Sequence, residues 1–335
     1  MAAAPVLQSW DQIKGNAGDW SAILIGNGAS MNVSSTFNYQ TLLERACTME
    51  NDDRLNDVDR ALFLAIKTVD FELVLAHLRY ALVVGTVTGA TNPYMQQLEA
   101  QYTRIRRALA AAVRGVHPPH KKIGEGRLKQ LGQELVKYKW VFSTNYDLIV
   151  YWAAMTVGIE NFYDYLGGKP CRFRRENIAE APENKTKLLF PHGALHLYVP
   201  EGEFTGMVHK RVNDEYNILD QLLFFEDAPL IVAEGSPDDK KKVIYSHRYL
   251  TFAFEQLGKV RDPLVIFGSN LGSSDEHIVQ ELVPKGRRIA VSIRGGGDEA
   301  SKTMARMQYV LAEAGEVIFF SADSHPLGNP ALTVA

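Results

Sequence analysis

The chain has 335 residues, 46% of them hydrophobic and 22% charged, which supports a sizeable core and excludes global disorder. A formal net charge of −3 and a pI near 6.3 exclude a global basic field, so neither direct nucleic-acid binding nor attachment to an anionic membrane is expected. The two cysteines, Cys47 and Cys171, exclude a four-cysteine zinc site and a disulfide scaffold, and they fit a reducing cytoplasm.

The opening stretch MAAAPVLQSWDQIKGN lacks a basic region followed by a long apolar run, so no secretory signal is expected. Without a run of about 18 apolar residues, no membrane span is predicted either. Ala22 to Ile25 reads as a short buried strand stopping at Gly26-Asn27-Gly28-Ala29-Ser30. From about residue 36 to 137 the pattern is helical and reads as an insertion between the first two motif-bearing strands. Within it, Phe71, Val74, Leu75, Leu78 and Leu82 form one apolar stripe. NPYMQQLEAQYTRIRRALAAAVRGV reads as a long helix with Asn92 as cap and Pro93 at its first position. HPPHKKIGEG, residues 117–126, reads as a linker.

KWVFSTNYD predicts a second strand and a polar turn, with a helix from about Leu148. Residues 163–187 read as loop. KLLFPHG is a third strand stopped by Pro191, and APLIVAEG a fourth. IYSHRYLTFAFEQLGKV reads as one helix, DPLVIFGSNLGSSDEHIVQELV as strand, glycine turn and helix, RRIAVSIRGG as a strand, DEASKTMARMQYVLAEAG as a helix and EVIFFSA as the last strand. SHPLGNPALTVA reads as an irregular terminus. Alternating apolar strands and helices predict one α/β domain over residues 1–335, Rossmann-like and doubly wound around a mainly parallel sheet. Ligands of such sheets bind beyond the carboxyl ends of the strands.

Four strand ends are therefore candidates: Gly26-Asn27-Gly28-Ala29-Ser30, Ser143-Thr144-Asn145-Tyr146-Asp147, Pro191-His192-Gly193 and Gly268-Ser269-Asn270. Each has an ordinary reading by itself. Gly-x-Gly is a tight turn, though one that also lets backbone N–H groups approach a phosphate. Asn145 and Asp147 are good helix caps, His192 fits a plain turn, and Gly268 fits close packing of helix on strand.

Taken together, in order and in spacing relative to the strands, these motifs resemble the sirtuin family. Gly26 to Ser30 is similar to its Gly-Ala-Gly-x-Ser turn, with Asn27 replacing the usual alanine. Asn145-Tyr146-Asp147 is similar to the end of its Thr-Gln-Asn-Ile-Asp motif, His192-Gly193 to its His-Gly pair, and Gly268-Ser269 to its late Gly-(Thr/Ser)-Ser turn. STNYD, HGALH, VAEG and FGSNLGSSDEHI further resemble the zinc-free bacterial branch, many of whose members are associated with phage defence. The resemblance implies NAD as the substrate. Gly26, Gly28 and Ser30 would lie against its pyrophosphate and ribose, with Asn27, Thr144 and Asn270 in the same cofactor-binding set. Asn145 would hold the ribose and the attacking group, and Asp147 the nicotinamide carboxamide. His192 would be the general base, and Gly268 and Ser269 would close over the adenosine half.

These residue types suit glycosidic cleavage. Breaking the C1′–N bond of NAD gives an oxocarbenium-like ribose, and nicotinamide departs neutral without a general acid. A carboxamide orients the attacking oxygen, and a histidine takes its proton. Sirtuin deacylases share a four-cysteine zinc module that two distant cysteines cannot build, so water is the expected acceptor and nicotinamide and ADP-ribose the expected products. A catalytically idle NAD or ADP-ribose sensor, a deacylase and an ADP-ribosyltransferase are the alternatives. A dehydrogenase ranks lower, because the turn lacks the third fingerprint glycine. By family analogy, activity is expected to be gated by homo-oligomerisation or by a partner ATPase or nucleic-acid sensor.

No metal is expected. His192 and His196 are four apart, but no nearby carboxylate in the sequence completes a ligand set. Asp275 reads as a helix cap or a cofactor contact, Glu72 as a helix-start acid or a residue facing the site, and DDKKKVIYSHR as a solvated basic cluster.

Overall fold

The computed structural model describes residues 6–15, 19–200, 207–212, 218–222, 228–233, 235–283 and 286–334. Its strands are β1 (Leu7–Gln8), β2 (Ala22–Ile25), β3 (Trp140–Ser143), β4 (Phe162–Tyr163), β5 (Thr186–Leu189), β6 (Gly193–Tyr198), β7 (His209–Lys210), β8 (Pro229–Ile231), β9 (Leu264–Phe267), β10 (Ile289–Ile293) and β11 (Val317–Ser321). Eight of them form one parallel sheet in the order β1-β11-β10-β9-β2-β3-β5-β4. Every residue of β2 and β9 is buried, as an apolar strand covered on both faces requires. The fold is the expected doubly wound α/β type.

From β2 the chain builds outward through β3 and β5, then returns through β9 to the other side of β2. The reversal of strand order therefore falls between β2 and β9, whose residues pair in register from Ala22↔Leu264 to Ile25↔Phe267. Both strands end level, and their turns lie side by side, where doubly wound sheets hold ligands.

Between β2 and β3 the chain is helical. Its long members are Tyr39–Thr48, Asp57–Ile66, Phe71–Thr88, Asn92–Val116 and Glu125–Leu135. Phe71, Val74, Leu75, Leu78 and Leu82 are all buried, and the Asp70 carboxylate caps that helix by accepting from the N–H groups of Glu72 and Leu73. The opposite face leaves Tyr80, Val83, Val84 and Val87 exposed. By length and composition alone, Phe71–Thr88 is the one helix among the described residues that is apolar enough to cross a membrane.

Several local expectations change. Thr91, not Asn92, occupies the cap of the long helix, and Asn92 is already helical. The linker 117–126 contains a short helix, His120–Ile123. The stretch read as one helix is two, Pro237–Ser246 and Arg248–Lys259, with extended backbone at His247 between them. The APLIVAEG strand, β8, leaves the main sheet and pairs antiparallel with β6, which β7 flanks on its other side. At the start of β6, Gly193 has φ +73 and a Cβ there would meet the Leu230 carbonyl oxygen at 2.0 Å, so only glycine lets these two strands approach so closely. The tail is ordered by short 3-10 turns, and Asn32 Nδ2 donates to the carbonyls of Leu327 and Asn329.

Candidate functional site

A cavity of about 300 Å³ opens at the β2–β9 crevice. The first turn contributes Gly26, Asn27 and Gly28, the second Thr144, Asn145 and Asp147, the third His192, and the fourth Gly268, Ser269 and Asn270. All four predicted strand ends thus meet at one cavity. Its apolar wall comes from the helical section, through Phe37, Tyr39, Leu42, Leu109 and Val113.

The glycines are required by the packing of one turn against another. A Cβ on Gly26 would lie 2.6 Å from Ser269 Cα, one on Gly28 2.8 Å from Gly268 Cα, and one on Gly268 2.4 Å from Ala29 N. Gly268 also has φ +70. The backbone N–H groups of Gly26, Gly28 and Ala29 donate to the carbonyls of Phe267, Gly268 and Gly26. These glycines therefore supply close approach, while their turn spends three of its N–H donors internally.

Beneath the first two turns lies a buried polar cluster. Asn145 Nδ2 donates to the Gly26 carbonyl at 3.1 Å and to Ser30 Oγ at 2.7 Å. Ser30 Oγ donates to Asp147 Oδ2 at 2.5 Å, and Asp147 Oδ1 accepts from the Ile149 N–H at 2.8 Å. Ser30 is thus the link between Asn145 and Asp147. Because a backbone carbonyl only accepts, the Gly26 contact fixes which way the amide faces. Asn145 Oδ1 is left buried without a hydrogen-bond partner. His117 supports the second turn from behind: its Nε2 accepts from the Leu148 N–H, and its Nδ1 donates to the Pro118 carbonyl.

His192 is buried, and its Nε2 lies 2.8 Å from Nε2 of His277. Burial, with smaller effects of His277 and Lys240, holds His192 well below the ordinary imidazole value; burial pushes His277 down to about 3. His196 does not share this site. Its ring lies against Tyr151, with centroids 4.4 Å apart, because His192 sits in the turn and strand alternation begins only after it.

Among the described residues, donor atoms of His192, Asp275 and His277 lie within 4.8 Å of one another. The carboxylate near His192 thus comes from another strand end, and its histidine partner is His277, not His196. Lys240 Nζ already sits 3.6 Å from that carboxylate, and its charge opposes a divalent cation there.

Lys240 is the largest departure from the sequence reading. Its run reads as solvated, yet its side chain is 0% exposed and donates to Glu72 Oε2 at 2.6 Å. Burial lowers its pKa, but the carboxylates of Glu72 and Asp275 more than offset that and leave it raised. Burial lifts Asp275 to about 6, with Lys240 opposing and Glu72 adding. Glu72 also accepts from the Tyr146 hydroxyl at 3.0 Å, and Glu72, Tyr146 and Asp275 all line the cavity. Asp275 occupies its helix cap position without making the capping bond. Sequence reasoning missed His277 and Lys240; the Asp-x-His spacing at the start of the Glu276–Leu282 helix was the one available signal for the first. Of the VAEG stretch, Glu234 lies outside the described residues.

A search of curated proteins gives no match. A family model matches residues 23–327, which span every element of this cavity, and the chain belongs to that family, described as a domain of unknown function, DUF4917.

Proposed function

We propose that the chain cleaves the nicotinamide–ribose bond of NAD, with water as acceptor, releasing nicotinamide and ADP-ribose. The observation that carries this reading is the state of Asn145. Its amide nitrogen is tied down by Gly26 and Ser30, and its oxygen is buried, unpartnered and beside the cavity that His192 also lines. An unpaired buried acceptor is costly, and a ligand hydroxyl or water would satisfy it. Glu72, Asp147 and Asp275 supply the carboxylates of the cavity wall. Negative charge there favours the cationic nicotinamide and the positive charge that develops on ribose.

In this mechanism the Asn145 oxygen orients the attacking water and the ribose. Nicotinamide leaves with the electron pair of the C1′–N bond. Water forms the new C1′–O bond, and its proton passes to His192. The apolar wall from the helical section limits bulk water in the cavity. An idle sensor has no need of both an imidazole and a carboxamide in its cavity, which favours the catalytic reading.

Incubating the full chain with NAD and separating the products by chromatography tests it. Wild-type protein is expected to release nicotinamide, and Asn145→Ala and His192→Ala each to lose at least about a hundredfold in rate. Undiminished release by both variants would sink the assignment. The assay is repeated over a range of protein concentrations, since gating by self-association would make the specific activity rise with concentration.

A further inference from the structure

We propose that His277 is a positioning residue for His192, holding it as the tautomer that presents the Nδ1 lone pair to the cavity. This rests on the NAD-cleavage reading and adds to it a residue that does not line the cavity.

The geometry is that of a shared proton. The two Nε2 atoms are 2.8 Å apart, and the rings are tilted by only 16°. Their centroids are 4.9 Å apart, longer than the nitrogen gap by about two ring radii, so the rings meet edge to edge, nitrogen to nitrogen. Two neutral imidazoles make this bond only if one carries its proton on Nε2 and the other keeps a lone pair there. As the base of the proposed reaction, His192 needs its lone pair on Nδ1, because its Nε2 is taken up by His277. Its own proton therefore sits on Nε2. His277 Nε2 is then the acceptor and His192 Nε2–H the donor. His192 keeps its lone pair on Nδ1, the nitrogen left for the cavity.

The arrangement also serves the reaction. When His192 Nδ1 takes the proton from water, the ring becomes an imidazolium, and its Nε2–H bond to the His277 lone pair strengthens. Loss of that proton to solvent restores the starting state. The charged groups facing the pair are Asp275 and Lys240, with Glu72 beyond Lys240 and Lys241 acting on His277. Phe254 lies against the other side of His277, with centroids 5.8 Å apart.

Two variants separate positioning from packing. His277→Phe keeps the ring and loses the acceptor, whereas His277→Gln keeps an acceptor and loses the ring. His277→Phe is expected to lower kcat about a hundredfold with KM unchanged. His277→Gln is expected to stay within about tenfold of wild type. Equal losses in both variants, or none in His277→Phe, would overturn the proposal. Nitrogen-15 NMR of histidine-labelled full chain gives a second reading that needs no activity. His192 is expected to carry its proton on Nε2 in wild type and to lose that preference in His277→Phe, and added zinc is expected to leave both ring signals in place. A proton on Nδ1 of His192, or zinc held between the two rings, would overturn it. If wild type releases no nicotinamide, the NAD reading fails while the ring signals still decide this one.

Discussion

Lys240→Met is expected to destabilise the chain by about 3–5 kcal/mol, the usual cost of stripping one partner from a buried ion pair. Methionine keeps most of the stem and its packing, so the loss isolates the charge. Lys240 is buried and reaches carboxylates on two elements, Glu72 at 2.6 Å and Asp275 at 3.6 Å. Without it, Glu72 retains only the Tyr146 hydroxyl, and Asp275 is pushed further towards its protonated form. Urea denaturation at neutral pH checks this, with Glu72→Gln/Lys240→Met as the control. Neutralising both partners removes the orphaned charge, so the double variant should recover part of the loss. A Lys240→Met midpoint equal to that of wild type would show that the network contributes nothing net.

Acid is expected to destabilise the fold steeply below about pH 6. Burial pushes His196, His277 and His325 down to about 3, against 6.5 when unfolded. A group depressed in the fold contributes stability above its unfolded value and loses it as pH falls towards its folded value. Each of these histidines therefore costs about 1.4 kcal/mol per pH unit as pH falls through this window. Asp275 has the opposite sign: raised to about 6 from 3.8, it adds stability as pH falls through 6. Three such rings against Asp275 leave a net slope of about 3 kcal/mol per unit between pH 6 and 4, and His192, also held low by burial, adds to it. Two such units are comparable with the whole stability of an ordinary domain. Urea midpoints measured from pH 7 to 4.5 should fall accordingly, and a flat profile would contradict the burial of these rings. His325 is the simplest to isolate. It does not line the cavity, and it accepts from the Leu327 N–H at Nδ1 and pairs with the Tyr138 hydroxyl at Nε2.

What was legible in the sequence is what local pattern encodes. β2, β3, β5 and β9 are short apolar runs ended by Gly, Pro or Asn, so their termini were readable, and with them the residues that meet at the cavity. The stripe from Phe71 to Leu82 was readable because helical period and burial coincide. Long-range partners were not. Lys240 sits in a polar run whose Asp238 and Lys242 do face solvent, and only the fold carries its ammonium to Glu72. The break at His247 lacks Gly or Pro to mark it. The His192–His196 spacing, set aside as a metal pair from the sequence, does not bring the two rings to one site, because the positive φ of Gly193 separates the turn from the strand. The glycines of the first turn were found, but for a different reason: they admit the neighbouring turn, and three of the turn's N–H groups are already bonded.

The placement of β2 beside β9 bears on the order of events during synthesis. β2 is made early, but one of its edges stays open until Phe267 has left the ribosome. The Gly26 turn also lacks its packing partner until Gly268 arrives. Such distant pairing is slow to form. His192, Asp275 and Asn145 cannot enclose a ligand before then. The proposed cleavage of NAD would therefore be absent from a nascent chain and would begin only once most of the chain has been translated.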